Sequence, residues 1–75
     1  MKRHIIFEKN ILIANALLKT GKCKNEGNWV FTCSDNIEDM KILQNAFDKA
    51  VAGTVYRNCT LLFANENNYS DFVIV

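Results

Sequence analysis

The chain of 75 residues closes on Asp71-Phe72-Val73-Ile74-Val75, four consecutive apolar, β-favouring residues after one acid. A strand that is apolar at every position asks for cover on both faces. A chain of this length has little with which to supply it, because so small a domain buries only about 60% of the surface its unfolded form exposes. Small domains commonly add disulfides, a metal or oligomerisation. The three cysteines, Cys23, Cys33 and Cys59, are an odd number without a CxxC pair, so reduced thiols are expected rather than a disulfide scaffold. The remaining route is association. The expectation is a working unit that includes a second copy or a partner protein, with Phe72, Val73, Ile74 and Val75 among the contacts.

A hydrophobic fraction of 49% fits a folded globular chain, and the length fits a single domain over 1–75. No apolar run approaches the roughly 20 residues of a membrane helix. The start, Met1-Lys2-Arg3-His4-Ile5-Ile6-Phe7, is basic and then apolar, but it breaks at Glu8-Lys9-Asn10, and no small-residue cleavage site follows convincingly. The protein is therefore expected in the cytoplasm, where the sequons Asn58-Cys59-Thr60 and Asn68-Tyr69-Ser70 are idle. A net charge of +1 supplies no electrostatic pull toward nucleic acid or an anionic membrane, and it is too close to zero for an acidic DNA mimic. The 7 Lys against 2 Arg, with 10 Asn, 7 Ile and no Pro, follow A/T-rich codons. That bias points to a low-GC bacterium or one of its phages, a setting in which tiny single-domain chains are often accessory proteins.

Residues 2–7 fit either a short strand or the lead-in to a helix. Residues 8–20 carry a helical stripe of Phe7, Ile11, Ala14 and Leu18, widened by Ile13 and Leu17, and Gly21 stands at the stop. Residues 21–28 read as a polar loop. Trp29-Val30-Phe31-Thr32-Cys33 reads as a strand with Trp29, Phe31 and Cys33 on one face. Ser34 and Asp35 are N-cap types, and Asp35 to Glu38 has capping-box spacing. The following helix, about 36–52, puts Ile37, Met40, Leu43, Phe47, Ala50 and Val51 on one face and stops at Gly53. Residues 58–64 form a strand, and a polar turn leads to a last strand over 71–75.

The order (β)αβαββ predicts an α+β fold, a small two-layer domain. Its sheet would be mixed and three- or four-stranded, with two helices on one face. The opposite face would then lack cover from its own chain, although the strands are apolar on both sides. Such a face, or an unpaired C-terminal edge, is an interaction site or an aggregation hazard. Each helix also carries one aliphatic among polar neighbours, Leu12 beside Glu8, Asn15 and Lys19, and Ile42 beside Glu38 and Lys49. Both are candidate contacts for a partner, although isolated surface hydrophobes are ordinary.

Chemistry-bearing patterns are sparse. Cys33-Ser34-Asp35 places a thiol just before a helix N-terminus, where thiolate is favoured. No arginine follows at phosphatase spacing, and the single histidine, His4, is not tied to Cys33 by sequence. Cys33 also alternates in phase with Trp29 and Phe31, as a packed residue would. Cys23, Cys33, Cys59 and His4 lack the close pairing of a zinc site, so neither a metal nor any other cofactor is expected. Trp29 and Phe31 could stack bases beside Lys19, Lys22 and Lys24, the basis of an alternative nucleic-acid reading. The favoured expectation is a non-enzymatic protein-binding regulator or inhibitor, homodimeric, encoded by a phage or mobile element and acting on a host or defence protein.

Overall fold

The computed structural model describes residues 1–65, so the expected strand over 71–75 lies outside the described residues. Six elements follow in order: β1 (Lys2–Ile6), α1 (Ile11–Lys19), β2 (Cys23–Asn25), β3 (Phe31–Ser34), α2 (Ile37–Val51) and β4 (Leu62–Ala64). The fold is α+β, and the strands form one four-stranded sheet in the order β2-β3-β1-β4.

Each of the three described pairings is antiparallel, where the sequence pattern led to a mixed sheet. The reason lies in the helical connections. β2 and β1 both run antiparallel to β3, so α1 joins two parallel strands with β3 between them. In the same way α2 joins β3 to β4 with β1 between. Each strand–helix–strand unit is split by a third strand, and neighbours end up antiparallel. This is the split βαβ, ferredoxin-like connectivity, a scaffold shared by many unrelated functions.

Opposed residues of an antiparallel pair share a face. Ile5 opposes Phe31 and Phe63, and Cys33 opposes Arg3 and Cys23. Ile5, Phe31 and Cys33 join one buried cluster with Ile13, Ala14 and Leu17 of α1 and Leu43, Phe47 and Val51 of α2. Both helices therefore cover the same face. The opposite face carries Lys2, His4, Ile6, Lys24, Thr32, Ser34, Leu62 and Ala64. Its centre is not bare, because Thr32 and Ala64 are buried. The expectation of an open apolar sheet face fails there.

Residues 2–7 resolve into the strand β1 rather than a lead-in to α1. Helix α1 starts at Ile11, not at residue 8, because Asn10 supplies the cap. Its side-chain oxygen accepts from the amides of Leu12 at 2.8 Å and Ile13 at 3.3 Å. Phe7 is thereby left before the helix. The buried side is Ile13, Ala14 and Leu17, and the expected stripe members Ile11 and Leu18 are exposed. Helix α2 is capped one residue later than the sequence spacing implied. Asn36 accepts from Glu38 N at 2.8 Å and Asp39 N at 3.1 Å. Ile37, placed in the core stripe by its spacing, is exposed because it is the first helical residue. Gly53, at φ +77, lies just past the helix end in a backbone region that suits glycine.

The polar loop 21–28 hides a strand, Cys23–Asn25, which pairs with β3. Trp29 is not in a strand. It sits in the left-handed region at φ 64, after Asn28 at φ 53, within the turn joining β2 to β3. Its ring packs against Phe7 and Phe31, with centroids 6.4 and 6.0 Å away. These contacts offset a backbone conformation that costs a bulky residue about 1–3 kcal/mol.

Candidate functional site

Two surfaces stand out. The first is a shallow cleft of about 450 Å³ between β2, the ends of β1 and β3, and the turn after α1. Its walls include Lys2, Lys22, Cys23, Lys24, Thr32, Cys33 and Ser34. Three lysines rim it, and acids balance them. Glu26 receives Lys2 Nζ at 3.4 Å and Lys24 Nζ at 3.5 Å, while Asp39 lies 3.7 Å from Lys22 Nζ. Desolvation works upward on Glu26, but the hydrogen bonds and charges of Lys2 and Lys24 together outweigh it and hold the carboxyl below its ordinary value. Asp39 also accepts from Ser34 Oγ at 3.0 Å, and Ser34 Oγ accepts from Asn36 N at 3.3 Å. These bonds brace the β3–α2 corner. Exposed pairs of this kind contribute little stability each, and they neutralise the rim.

The thiols of the cleft are suppressed. Burial pushes Cys33 up to about 11, and Cys23, Asp39 and Asp35 push the same way against the opposing charge of Arg3. Burial raises Cys23 as well. Cys33 precedes α2 as the sequence suggested, yet desolvation and nearby acids outweigh any help from the helix end. His4 neighbours Arg3 along β1, and strand alternation turns it to the face away from Cys33. It cannot serve Cys33 as a base. Cys59 is exposed and apart from the strands. Among the described residues no group of three His, Cys, Asp or Glu side chains is placed to hold a metal ion. No described helix is long and apolar enough to cross a membrane.

The residues of the nucleic-acid reading do not converge. Phe31 is 2% exposed and belongs to the core, so it offers no face for stacking. A sheet that stacks bases presents aromatics on the side its helices leave open. Here Phe31 faces the helices, and the other side of β1 and β3 carries Lys2, His4, Ile6, Thr32 and Ser34. Trp29, 37% exposed, lies at the turn of the β2–β3 hairpin, while Lys22 lies at the opposite end. Lys22 and Lys24 are engaged by Asp39 and Glu26. Lys19 occupies the last turn of α1, where it complements the helix dipole.

The second surface is the outer side of the helices. Leu12 is 68% exposed and Ile11 62%, with Leu18 at 40%. Ile11 and Leu18, seven residues apart, share a row along α1, and Leu12 flanks them across Asn15. On α2, Ile42 is exposed as expected, and Ile37 joins it on the surface. The sequence singled out Leu12 and Ile42, but it missed Ile11, Leu18 and Ile37. Only the later helix start and the burial of Ile13 and Leu17 reveal them. Phe72, Val73, Ile74 and Val75 lie outside the described residues.

These features define a small α+β domain of split βαβ connectivity with suppressed thiols and an aliphatic helix face. No protein family, curated protein or solved structure matches this chain.

Proposed function

We propose that this chain is a non-enzymatic protein-binding regulator or inhibitor that pairs with a second copy of itself through the outer face of α1. The observation that carries the reading is the exposure of Ile11, Leu12 and Leu18 on a helix of 9 residues. Burying one such side chain is worth about 1.5–3 kcal/mol. A helix that buries Ile13, Ala14 and Leu17 and leaves as many large aliphatics in water therefore holds a surplus that a partner would recover. Clustered exposure of this kind marks interaction surfaces more than scattered exposure does. With a net charge of +1, two copies do not repel each other strongly. The apolar run Phe72 to Val75 supports association independently, as does the small size of the chain.

The narrower form of the proposal is an accessory protein of a phage or mobile element, working in the host cytoplasm on a host or defence protein. Its support is the Lys-, Asn- and Ile-rich, proline-free composition. The test of the broader form is solution mass by light scattering over a wide concentration range. The expected result is a concentration-dependent dimer for the native chain and a monomer for Leu12→Lys with its fold intact. A native chain that stays monomeric throughout would overturn self-association through α1.

A further inference from the structure

Cys23 and Cys33 oppose each other directly in the β2–β3 ladder, and both thiols are free. Two backbone bonds fix what kind of opposed pair they make. Asp35 N–H donates to the Met1 carbonyl, so Asp35 turns its backbone groups toward β1. Alternation along β3 sends those of Cys33 and Phe31 the same way, and those of Ser34, Thr32 and Val30 toward β2. At the other end of the hairpin, Glu26 N–H donates to the Val30 carbonyl, in agreement. Cys23 and Cys33 are therefore a non-hydrogen-bonded pair, in which opposed Cα atoms stand about 4.5 Å apart and side chains are at their closest. A disulfide requires a Cα separation of about 4.4–6.8 Å, so this pair meets the spacing without moving the backbone. Both side chains lie on the helix side of the sheet, with Cys33 7% exposed and Cys23 half-buried at the cleft.

We propose that Cys23 and Cys33 form a reversible oxidation site, a cross-strand disulfide that clasps the edge strand β2 to β3. The co-reactant is a small-molecule disulfide such as glutathione disulfide. The Cys23 thiolate, the more accessible of the two, attacks one sulfur of the oxidant and expels one glutathione thiolate, leaving a mixed disulfide. The Cys33 thiolate then attacks Cys23 Sγ and expels the second glutathione thiolate. The two cysteine protons end on the two glutathione thiols. The protein loses two electrons and two protons, and one oxidant disulfide becomes two thiols.

The clasp closes a ring over residues 23–33, which contains the turn holding Trp29. It removes freedom from the unfolded chain and fixes a strand that, among the described residues, β3 alone pairs. Because burial suppresses both thiols, the exchange is slow at neutral pH and quickens as pH rises. A reducing cytosol keeps the pair open, and an oxidising environment closes it. This inference stands independently of the dimer reading.

The test uses the full chain with Cys59→Ser, which removes the exposed thiol. The protein is equilibrated with graded ratios of glutathione and glutathione disulfide, in native buffer and in urea, then quenched with acid, alkylated and weighed. The expected product is lighter than the reduced chain by two hydrogens and yields a Cys23–Cys33 linked peptide on digestion. Half-oxidation should come at a disulfide-to-thiol ratio at least about tenfold lower in native buffer than in urea, since a bond that fits the fold is favoured by it. The oxidised chain should melt about 10 °C higher, and Cys23→Ser should remove both effects. Glutathione adducts that never resolve, or half-oxidation that is no easier in the native chain than in urea, would overturn the proposal.

Discussion

Phe7 and Phe31 meet edge to face, their ring centroids 5.0 Å apart and their planes at 83°. Phe7 stands on the link from β1 to α1, and Phe31 opens β3, so the contact pins the first connection to the middle of the sheet. Phe31 is a core residue and Trp29 its half-covered neighbour, which sets an order of costs. Phe31→Ala should destabilise by about 3–5 kcal/mol, enough to unfold a domain of this size. Trp29→Ala should cost clearly less, about 1–2 kcal/mol, because part of its ring is already in water. Urea melts of the two variants check the order, and equal costs would contradict the placement of Trp29 at the turn.

The caps can be separated by substitution. Asn36→Ala should lose about 1 kcal/mol, because two amides at the start of α2 lose their acceptor. Asp35→Ala should stay within about 0.5 kcal/mol of the native chain. A larger loss at Asp35 than at Asn36 would return the cap to the position the sequence spacing suggested.

Thr32 offers a gain. Its side-chain oxygen is buried and has no hydrogen-bond partner among the described residues. Thr32→Val keeps the shape, removes the stranded hydroxyl and retains a β-branched residue in β3. It should stabilise by about 0.5–1 kcal/mol in chemical denaturation. A loss would mean that the hydroxyl is satisfied in solution.

How much of this fold could be read from the residues varies with how local its causes are. Helix α2 was legible because period, cap types and Gly53 coincide in one segment. Its cap slipped by one residue, since Asp35 and Asn36 are both capping types and only the corner geometry chooses between them. Strand β2 was illegible. Cys23-Lys24-Asn25 has no apolar alternation and becomes a strand only because the turn at Gly27 to Trp29 folds it against β3. The antiparallel pairing of β1 with β3 was hidden for the same reason, since the unseen strand reassigns what α1 connects. Leu12 and Ile42 were legible as surface aliphatics because their neighbours are polar. Ile11 and Leu18 were not, because a stripe anchored on Phe7 places them on the buried side.

Cys33 gives a pH dependence with a defined sign. A thiol held up to about 11 in the fold, against an ordinary value of 9.0, stays protonated while the unfolded chain ionises. Between those values the unfolded state binds fewer protons than the folded one, so stability falls as pH rises. The full contribution is present below pH 9 and is lost by about pH 11. Under reducing conditions the melting temperature should decline more steeply across that window for the native chain than for Cys33→Ala. Parallel slopes would contradict the suppression of this thiol.

The aliphatic face of α1 is the centre of the functional account, and amide NMR on dilution addresses it residue by residue. From high to low concentration, the account predicts shift changes concentrated over Ile11 to Lys19, with Ile11, Leu12 and Leu18 among the largest. Spectra that do not change on dilution, or changes gathered at Leu62 and the β4 edge with α1 silent, would contradict it.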